Sequence, residues 1–425
     1  MIGDGLAPPR RLGSGASSSG RRGTNLPRMA DYNQLVVLDR IRRARAGVSR
    51  VELASATGLS GQTISNAVNR LLERGLVVEG DRQIRGRGKP RTMLRLRAES
   101  GYALGCHIDP VALTFVLVDL AGRTVDQSAM DTPPGPEAVV AALAAEVARL
   151  QEHHGLAPDD VIGLGVAAPG PLDADGGRVV HPPWLKGWGS VPLLDLVTAA
   201  TGLATLVEKD VTAAMAAELW RRHHDLKGTF LFAYLGFGIG FAFASRGEVL
   251  TGSSQNAGEV GHLIVDADGP ECECGDRGCL GVSVSLEYLV GSAVDAGVLP
   301  TSTPRSTPRE LDRGMAALAA AAAAGDEAGV EILQRTARRV ARGVMIVADL
   351  LDADSVVVGG ANAERLAPYL DAAAATEFAT RATLRELHTV EVDGSAVGPW
   401  VGAIGAASLV LDEVFTPKAA RLVHD

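Results

Sequence analysis

One order of elements occurs twice along this 425-residue chain and limits its fold more than any single motif does. From residue 101 the segments GYALGCHID, ALTFVLVDL and TVDQSAM read as consecutive antiparallel strands, with turns at Pro110-Val111 and Ala121-Gly122-Arg123. An Ala/Val helix from about Pro136 and the strand VIGLGVAA follow. From residue 229, TFLFAYLG, FAFAS and the turn Arg246-Gly247-Glu248 begin a second hairpin, and a helix at about 326–351 leads into the buried strand SVVVGG. The repetition predicts two α/β lobes with a cleft between them. The first takes residues 99–225 and the second 226–415, with a C-terminal helix able to pack back on the first lobe and a tail at 416–425. The stretch Leu299 to Pro308 (LPTSTPRSTP) reads as an exposed loop.

Charge divides the chain at a different place. Residues 1–97 hold 19 Arg/Lys against 7 Asp/Glu, and residues 98–425 hold 22 against 43, so a net charge of −9 conceals a basic head on an acidic body. A chain that binds phosphate backbones needs positive charge only on the surface that meets them, so overall acidity does not exclude nucleic acid. No run supplies the ~18 strongly apolar residues of a membrane span. The pairs Arg10-Arg11 and Arg21-Arg22 lack the apolar segment of an export signal. The expectation is a cytoplasmic protein without membrane contact.

The head divides further. Residues 1–29 are Gly, Ser, Pro and Arg with little to bury, and they predict a disordered basic tail. Residues 30–98 follow as an α+β unit. Leu35, Leu38 and Ile41 recur at helical spacing. Ser49-Arg50-Val51-Glu52 forms a capping box before a short helix ended by Gly58, and Ser60 caps a third helix whose apolar stripe is Ile64, Val68, Leu71 and Leu72. The opposite face of that helix carries Gln62, Thr63, Asn66, Asn69 and Arg70, amide, hydroxyl and guanidinium groups suited to base edges in a major groove. The strands LVVEG and TMLRLR flank DRQIRGRGKPR, a Gly-rich loop with Arg87, Lys89 and Arg91. Helix, turn, helix and basic hairpin in this order predict a winged helix-turn-helix domain on double-stranded DNA; the bland alternative is a solvated basic hairpin.

Three of the four cysteines crowd into Cys272-Glu-Cys274-Gly-Asp-Arg-Gly-Cys279, with His262 just upstream. Three neighbouring thiols cannot all pair with one another. Thiolates and an imidazole at this spacing suit a closed tetrahedral zinc ion, which leaves no open position for water. The metal is expected to be structural, fixing the loop of Glu259 and Gly261 onto the cysteine segment; three reduced core thiols are the alternative. Cys106, alone in an apolar strand, reads as packing. The doublets His153-His154 and His223-His224 sit at helix ends without a partner set and are discounted.

GVAAPGPLD, WLKGW, EKDVTAAMAAE, LGFGIGFAF, AGEVGH, CECGDRGCL and LLDADSVVVGGA together resemble the ROK family of bacterial sugar kinases and sugar-responsive repressors. The head, with GRGKPRTMLRL, is similar to its repressor branch. The resemblance implies an actin/hexokinase-like (ribonuclease H-like) two-lobed body closing on a sugar. It gives Asp210 the place of the kinases' catalytic base, and Glu259 and His262 those of the sugar-contacting Glu and His.

Departures from the family pattern carry the distinction. The first phosphate turn of the kinases, D-G-G-T, is here Asp109-Pro110-Val111-Ala112, which removes a backbone donor and two glycines. In the second turn Phe237 and Phe241 stand where Thr and Gly are expected, and bulky rings are predicted in the phosphate site. Lys209 replaces an Asn, Trp184 falls where another Asn is expected, and Gly281 replaces a Glu. A Trp face can stack on a pyranose and Lys209 can pair with an acidic substituent, or both can fill a pocket that has lost its ligand. No catalytic residue is therefore assigned. The expectation is a transcriptional regulator, a repressor of carbohydrate-metabolism genes, acting as a homodimer or tetramer on a palindromic operator with a carbohydrate or derivative as effector. An ATP-dependent sugar kinase with an accessory DNA-binding head is the alternative.

Overall fold

Two serines organise the head. Ser49 Oγ accepts from the Glu52 N–H and the Glu52 carboxylate accepts from the Ser49 N–H, closing the capping box, while Ser60 Oγ accepts from the Thr63 N–H of the next helix. The computed structural model describes residues 26–83, 90–173, 176–222, 228–381, 383, 386–387 and 389–416. Within them the head comprises α1 (Leu26–Arg43), α2 (Arg50–Thr57) and α3 (Gly61–Glu73), then an antiparallel hairpin of β1 (Val77–Gln83) and β2 (Arg91–Leu96). α1 starts at Leu26, inside the segment expected as a tail, because Pro27 lies in the first turn, where an N–H has no intrahelical acceptor to lose. Its buried stripe is Val37, Leu38 and Ile41, with Leu35 only half-buried. α3 buries Ile64, Ala67, Val68 and Leu71.

The first lobe follows with β3 (Tyr102–Ile108), β4 (Ala112–Asp119), β5 (Thr124–Asp131), α4 (Pro136–His153) and β6 (Val161–Ala168). A small sheet of β7 (Leu172–Asp173), β8 (Arg178–Val180) and β9 (Ser190–Val191) precedes α5 (Leu193–Thr201), β10 (Thr205–Lys209) and α6 (Asp210–Arg221). The second lobe holds β11 (Thr229–Leu235), β12 (Ile239–Ser245), β13 (Glu248–Leu250), α7 (Leu280–Val284), α8 (Leu286–Asp295), α9 (Pro308–Ala323), α10 (Glu327–Leu351), β14 (Ser355–Gly359), α11 (Ala363–Arg381) and β15 (Glu391–Gly394), and α12 (Val401–Phe415) ends the described chain.

The two main sheets have one plan. Their orders, β5-β4-β3-β6-β10 and β13-β12-β11-β14-β15, each put the first strand in the centre, antiparallel to the second and parallel to the fourth. This is the arrangement that the repeated element order predicts. α12 leaves the second lobe and packs on α6, β3 and β6 of the first. The approach is close enough that a Cβ on Gly165 would stand 1.9 Å from the Ala406 carbonyl oxygen, so only glycine fits there.

The head shares its core with the body: Val37, Leu38 and Ile41 belong to one buried cluster with Val116, Trp220, Ala407 and Phe415. Arg42 lies over the Trp220 ring at 3.9 Å while its Nη2 donates to Asp39 Oδ1 at 2.6 Å. A desolvated cation–π contact of this kind contributes about 2 kcal/mol. The head is thus seated on the body rather than held by the chain alone. No helix among the described residues is long and apolar enough to cross a membrane.

Candidate functional site

The outward face of α3 carries Gln62, Asn66, Asn69 and Arg70 exposed and Thr63 half-buried. Gln62 Nε2 donates to Asn66 Oδ1 at 3.0 Å, which orients both amides on one patch, and Thr63 meets the Ser60 hydroxyl at 2.9 Å. These are short polar groups on a helix whose other face is anchored in apolar core, the requirement for reading a groove. Arg91 is half-buried at the start of β2, opposite Gln83. Arg87 and Lys89 lie outside the described residues.

In the second lobe, His262, Cys272, Cys274 and Cys279 bring one donor atom each within 4.8 Å of all the others. Cys274 Sγ stands 3.6 Å from Cys279 Sγ, and His262 Nδ1 stands 3.5 Å from Cys272 Sγ. A tetrahedral ion with ordinary zinc bond lengths requires separations of about 3.8 Å and 3.5 Å. The Cys274 backbone N–H lowers the Cys272 thiol to about 7, and burial followed by the neighbouring sulfurs pushes Cys279 up. Crowded thiols at odds with one another are what a divalent cation relieves by taking them as thiolates. The four residues could hold a metal ion, and their loop begins where Glu259 ends. Among the discounted histidines, His154 does have a partner, since its Nε2 lies 2.9 Å from Asp126 Oδ2. The pair was not legible because β5 supplies Asp126 from 28 residues away. His223-His224 lies outside the described residues.

The cleft gathers Asp210, Lys209, Glu259 and Trp184 from different elements, but not as a vacant sugar pocket. Lys209, 2% exposed, sends its Nζ across the lobes to Glu259 Oε1 at 2.6 Å and to the carbonyls of Ala257 and Asn256 at 3.4 and 3.5 Å. The expected pairing with an acidic substituent is thus replaced by a carboxylate of the chain itself. Beside it Asn256 Oδ1 accepts from the Leu172 N–H and its Nδ2 donates to the Leu172 carbonyl, at 2.8 and 2.7 Å. Asp210, at the start of α6, accepts from the Val211 N–H at 2.7 Å. Burial raises its carboxyl to about 7 against that hydrogen bond and Lys209, and Asp109 and Glu259 raise it further. Asp109, also raised chiefly by burial, to about 6, accepts from the Val111 N–H at 2.8 Å.

Both phosphate-turn positions differ from the simplest expectation. Phe237 and Phe241 turn inward, 5% and 0% exposed, and belong to the second-lobe core. An apolar ring gains more from that core than from an open cleft. Trp184, placed in the first lobe, packs edge-on against Phe237 at 5.1 Å, so it bridges the lobes instead of offering a free stacking face. Val111 of the first turn packs on the same cluster. The Gly359-Gly360 strand end is committed too: a Cβ on Gly360 would lie 2.4 Å from the Leu235 carbonyl oxygen, and the cavity there is about 150 Å³, below the ~300 Å³ of ordinary ligand sites. Asn256 and the Arg42–Trp220 contact were missed in the sequence, because nothing local links residues that far apart.

Residues 105–413 match the family model described as ROK family, and residues 25–85 match one described as MarR family. A xylose repressor of Bacillus spizizenii is 27% identical over 266 residues, 61% of this chain and 67% of its own length. The crystal structure of a ROK family transcriptional regulator, a homologue of the Escherichia coli MLC protein, superposes with a TM-score of 0.74 over 93% of this chain and 99% of its own, at 20% identity. A ROK family glucokinase from Streptomyces griseus, in complex with glucose and AMPPNP, covers 73% of this chain and 99% of its own with a TM-score of 0.61 and 27% identity. The twin lobes, the Cys/His cluster and a family match over most of the chain agree: the protein belongs to the ROK family and carries a MarR-type winged head.

Proposed function

We propose that this protein is a DNA-binding transcriptional regulator, a repressor of carbohydrate-metabolism genes, that works in the cytoplasm as a homodimer or tetramer on a palindromic operator. The observation that carries the reading is α3: its outward Gln62, Asn66, Asn69 and Arg70 form a polar patch on a head seated firmly on the body. One head covers a half-site, so a two-fold assembly doubles the contacts and sets their spacing. The names of the repressor relatives support the same reading.

In this reading the body senses a carbohydrate or derivative through Asp210, Glu259, Lys209 and Trp184. The ligand must take Glu259 from Lys209 and slip between Trp184 and Phe237, so binding and lobe movement are one event. An effector acts only by its different affinity for the lobe arrangements that do and do not let the heads fit DNA. His262, Cys272, Cys274 and Cys279 hold a structural zinc that fixes the loop bearing Glu259.

Purified protein is expected to select particular genomic fragments at moderate salt and to lose them on addition of one member of a pentose and hexose panel. Equal affinity for all fragments overturns the regulator reading. The pKa of Asp210 near neutrality suits a catalytic base as well, and this favours the kinase as a second reading. ATP-dependent turnover of any of these sugars, abolished in Asp210→Ala, would establish it.

A further inference from the structure

Between head and body lies a cavity of about 690 Å³, within the range of small-molecule sites. Its wall brings together Arg42, Arg45 and Arg95 of the head and Arg123 and Arg221 of the body, with Glu99 the single carboxylate among the lining residues. Glu99 faces Arg97. Arg45, Arg95, Arg123 and Arg221 are exposed and form no ion pair with a described carboxylate. Arg42 differs: its side chain is 3% exposed, Nη2 is held by Asp39, and Nε is buried with no hydrogen-bond partner among the described residues.

Four exposed arginines around one concavity, with no described carboxylate paired to them, raise the local potential that an entering anion meets, whereas the charge of Arg42 is already met by Asp39. Guanidinium forks match phosphate oxygens in pairs and hold them by charge-assisted hydrogen bonds. Trp400, half-buried, adds aromatic wall of the kind that the apolar face of a sugar ring covers, while the Trp220 ring is already covered by Arg42. Neither the effector cleft nor the outward face of α3 contributes to this wall.

We propose that the junction cavity is a second ligand site, which takes a phosphorylated small molecule and ties the head to the body. The cationic groups come from both sides of the joint, so one dianion bridging Arg45 or Arg95 to Arg123 or Arg221 fixes the seat of the head. Two different signals, a sugar in the cleft and a phosphorylated metabolite at the joint, then converge on the same reading helix. The binding claim stands apart from the regulator reading, because it is measured without DNA.

The test is titration calorimetry of the full chain with glucose 6-phosphate, inorganic phosphate and glucose, alongside Arg123→Gln/Arg221→Gln and Asp210→Asn. Both substituted arginines are exposed, and a thermal scan checks that the double variant keeps the parent's unfolding profile. Glucose 6-phosphate is expected to bind the parent more tightly than inorganic phosphate. The arginine variant is expected to weaken it by about tenfold or more, as the loss of charge-assisted hydrogen bonds implies, whereas binding in the cleft would be weakened by Asp210→Asn instead. Equal affinity for the two phosphates assigns the site to free phosphate and removes the aromatic wall from the proposal. Absence of binding by either phosphate, or loss in Asp210→Asn with retention in the arginine variant, overturns the site. It also fails if the arginine variant loses affinity for a random DNA duplex in phosphate-free buffer, since the arginines would then be backbone contacts.

Discussion

The Cys/His cluster and the cleft between the lobes hang on one stretch of chain, residues 257–280, yet they handle converging polar groups in opposite ways. In the cluster four donor groups converge and leave each other's needs unmet: the sulfurs crowd, and one thiol is lowered while another is pushed up. In the cleft the charges have found each other, Lys209 with Glu259 and Asp210 with the Val211 N–H. The first arrangement calls for an occupant and the second excludes one until it is opened. If the proposed function holds, the cleft responds through the contacts a ligand must break, whereas the cluster gives rigidity by never opening.

The largest effect is expected at the cluster. Cys279→Ser, at the buried ligand, should abolish stoichiometric metal in elemental analysis and lower the unfolding temperature by roughly 10 °C, since metal affinity is folding free energy. Unchanged metal content would remove the ligand assignment and with it the contrast. Next comes the cleft. Glu259→Ala leaves the buried Lys209 ammonium without its carboxylate; because the Glu259 side chain is 61% exposed and water screens the pair, the cost should be about 2 kcal/mol in denaturant unfolding, whereas Lys209→Met, which removes the charge and keeps the volume, should be close to neutral. Equal losses from the two would mean that the pair is not self-compensating.

A smaller effect extends the comparison to the head. Asn66→Ala or Arg70→Ala should lose about 1–3 kcal/mol of binding at particular base positions, while Arg91→Ala should weaken all sequences and reduce the salt slope by about one. Footprints and salt titrations separate the two classes, and identical behaviour would merge them. The smallest effect divides cluster from cleft by pH. The Asp210 carboxyl is raised in the folded chain to about 7 from an unfolded value near 3.8, so folding favours its protonated form. Its penalty is absent below about pH 4, grows as pH rises and is complete above about pH 7. Because Asp210 is only half-buried, water screens much of that penalty, and Asp210→Asn should stabilise by about 1–2 kcal/mol at pH 8 and by nothing near pH 4. Metal release runs the other way, on acidification. A stabilisation equal at both pH values would show that Asp210 does not titrate as the cleft requires.

Much of the head is legible in its residues alone. Ser49, Glu52, Ser60 and Gly58 act within a few residues, so local hydrogen bonding dictates where α2 and α3 begin and where α2 ends. The Cys/His cluster is legible for a similar reason, because short Gly-containing turns bring its ligands together. Phe237 illustrates the opposite case. Its substitution for a small polar residue is visible, but whether the ring fills the phosphate site or the core depends on α7–α9 packing behind it. Trp184 and Lys209 likewise stand out as departures, while their partners, Phe237 and Glu259, are chosen by the closure of the two lobes.

Sequence alone determined the repeated lobe plan, the capped reading helix and the convergence of three thiols and an imidazole, since each rests on periodicity or on contacts spanning a few turns of chain. Only the tertiary structure decided that Lys209 pairs with Glu259, that Trp184 bridges the lobes and that five arginines line one cavity between head and body. Those outcomes join residues tens to hundreds of positions apart, and no local pattern specifies which buried charge or ring will be nearest once the chain is packed.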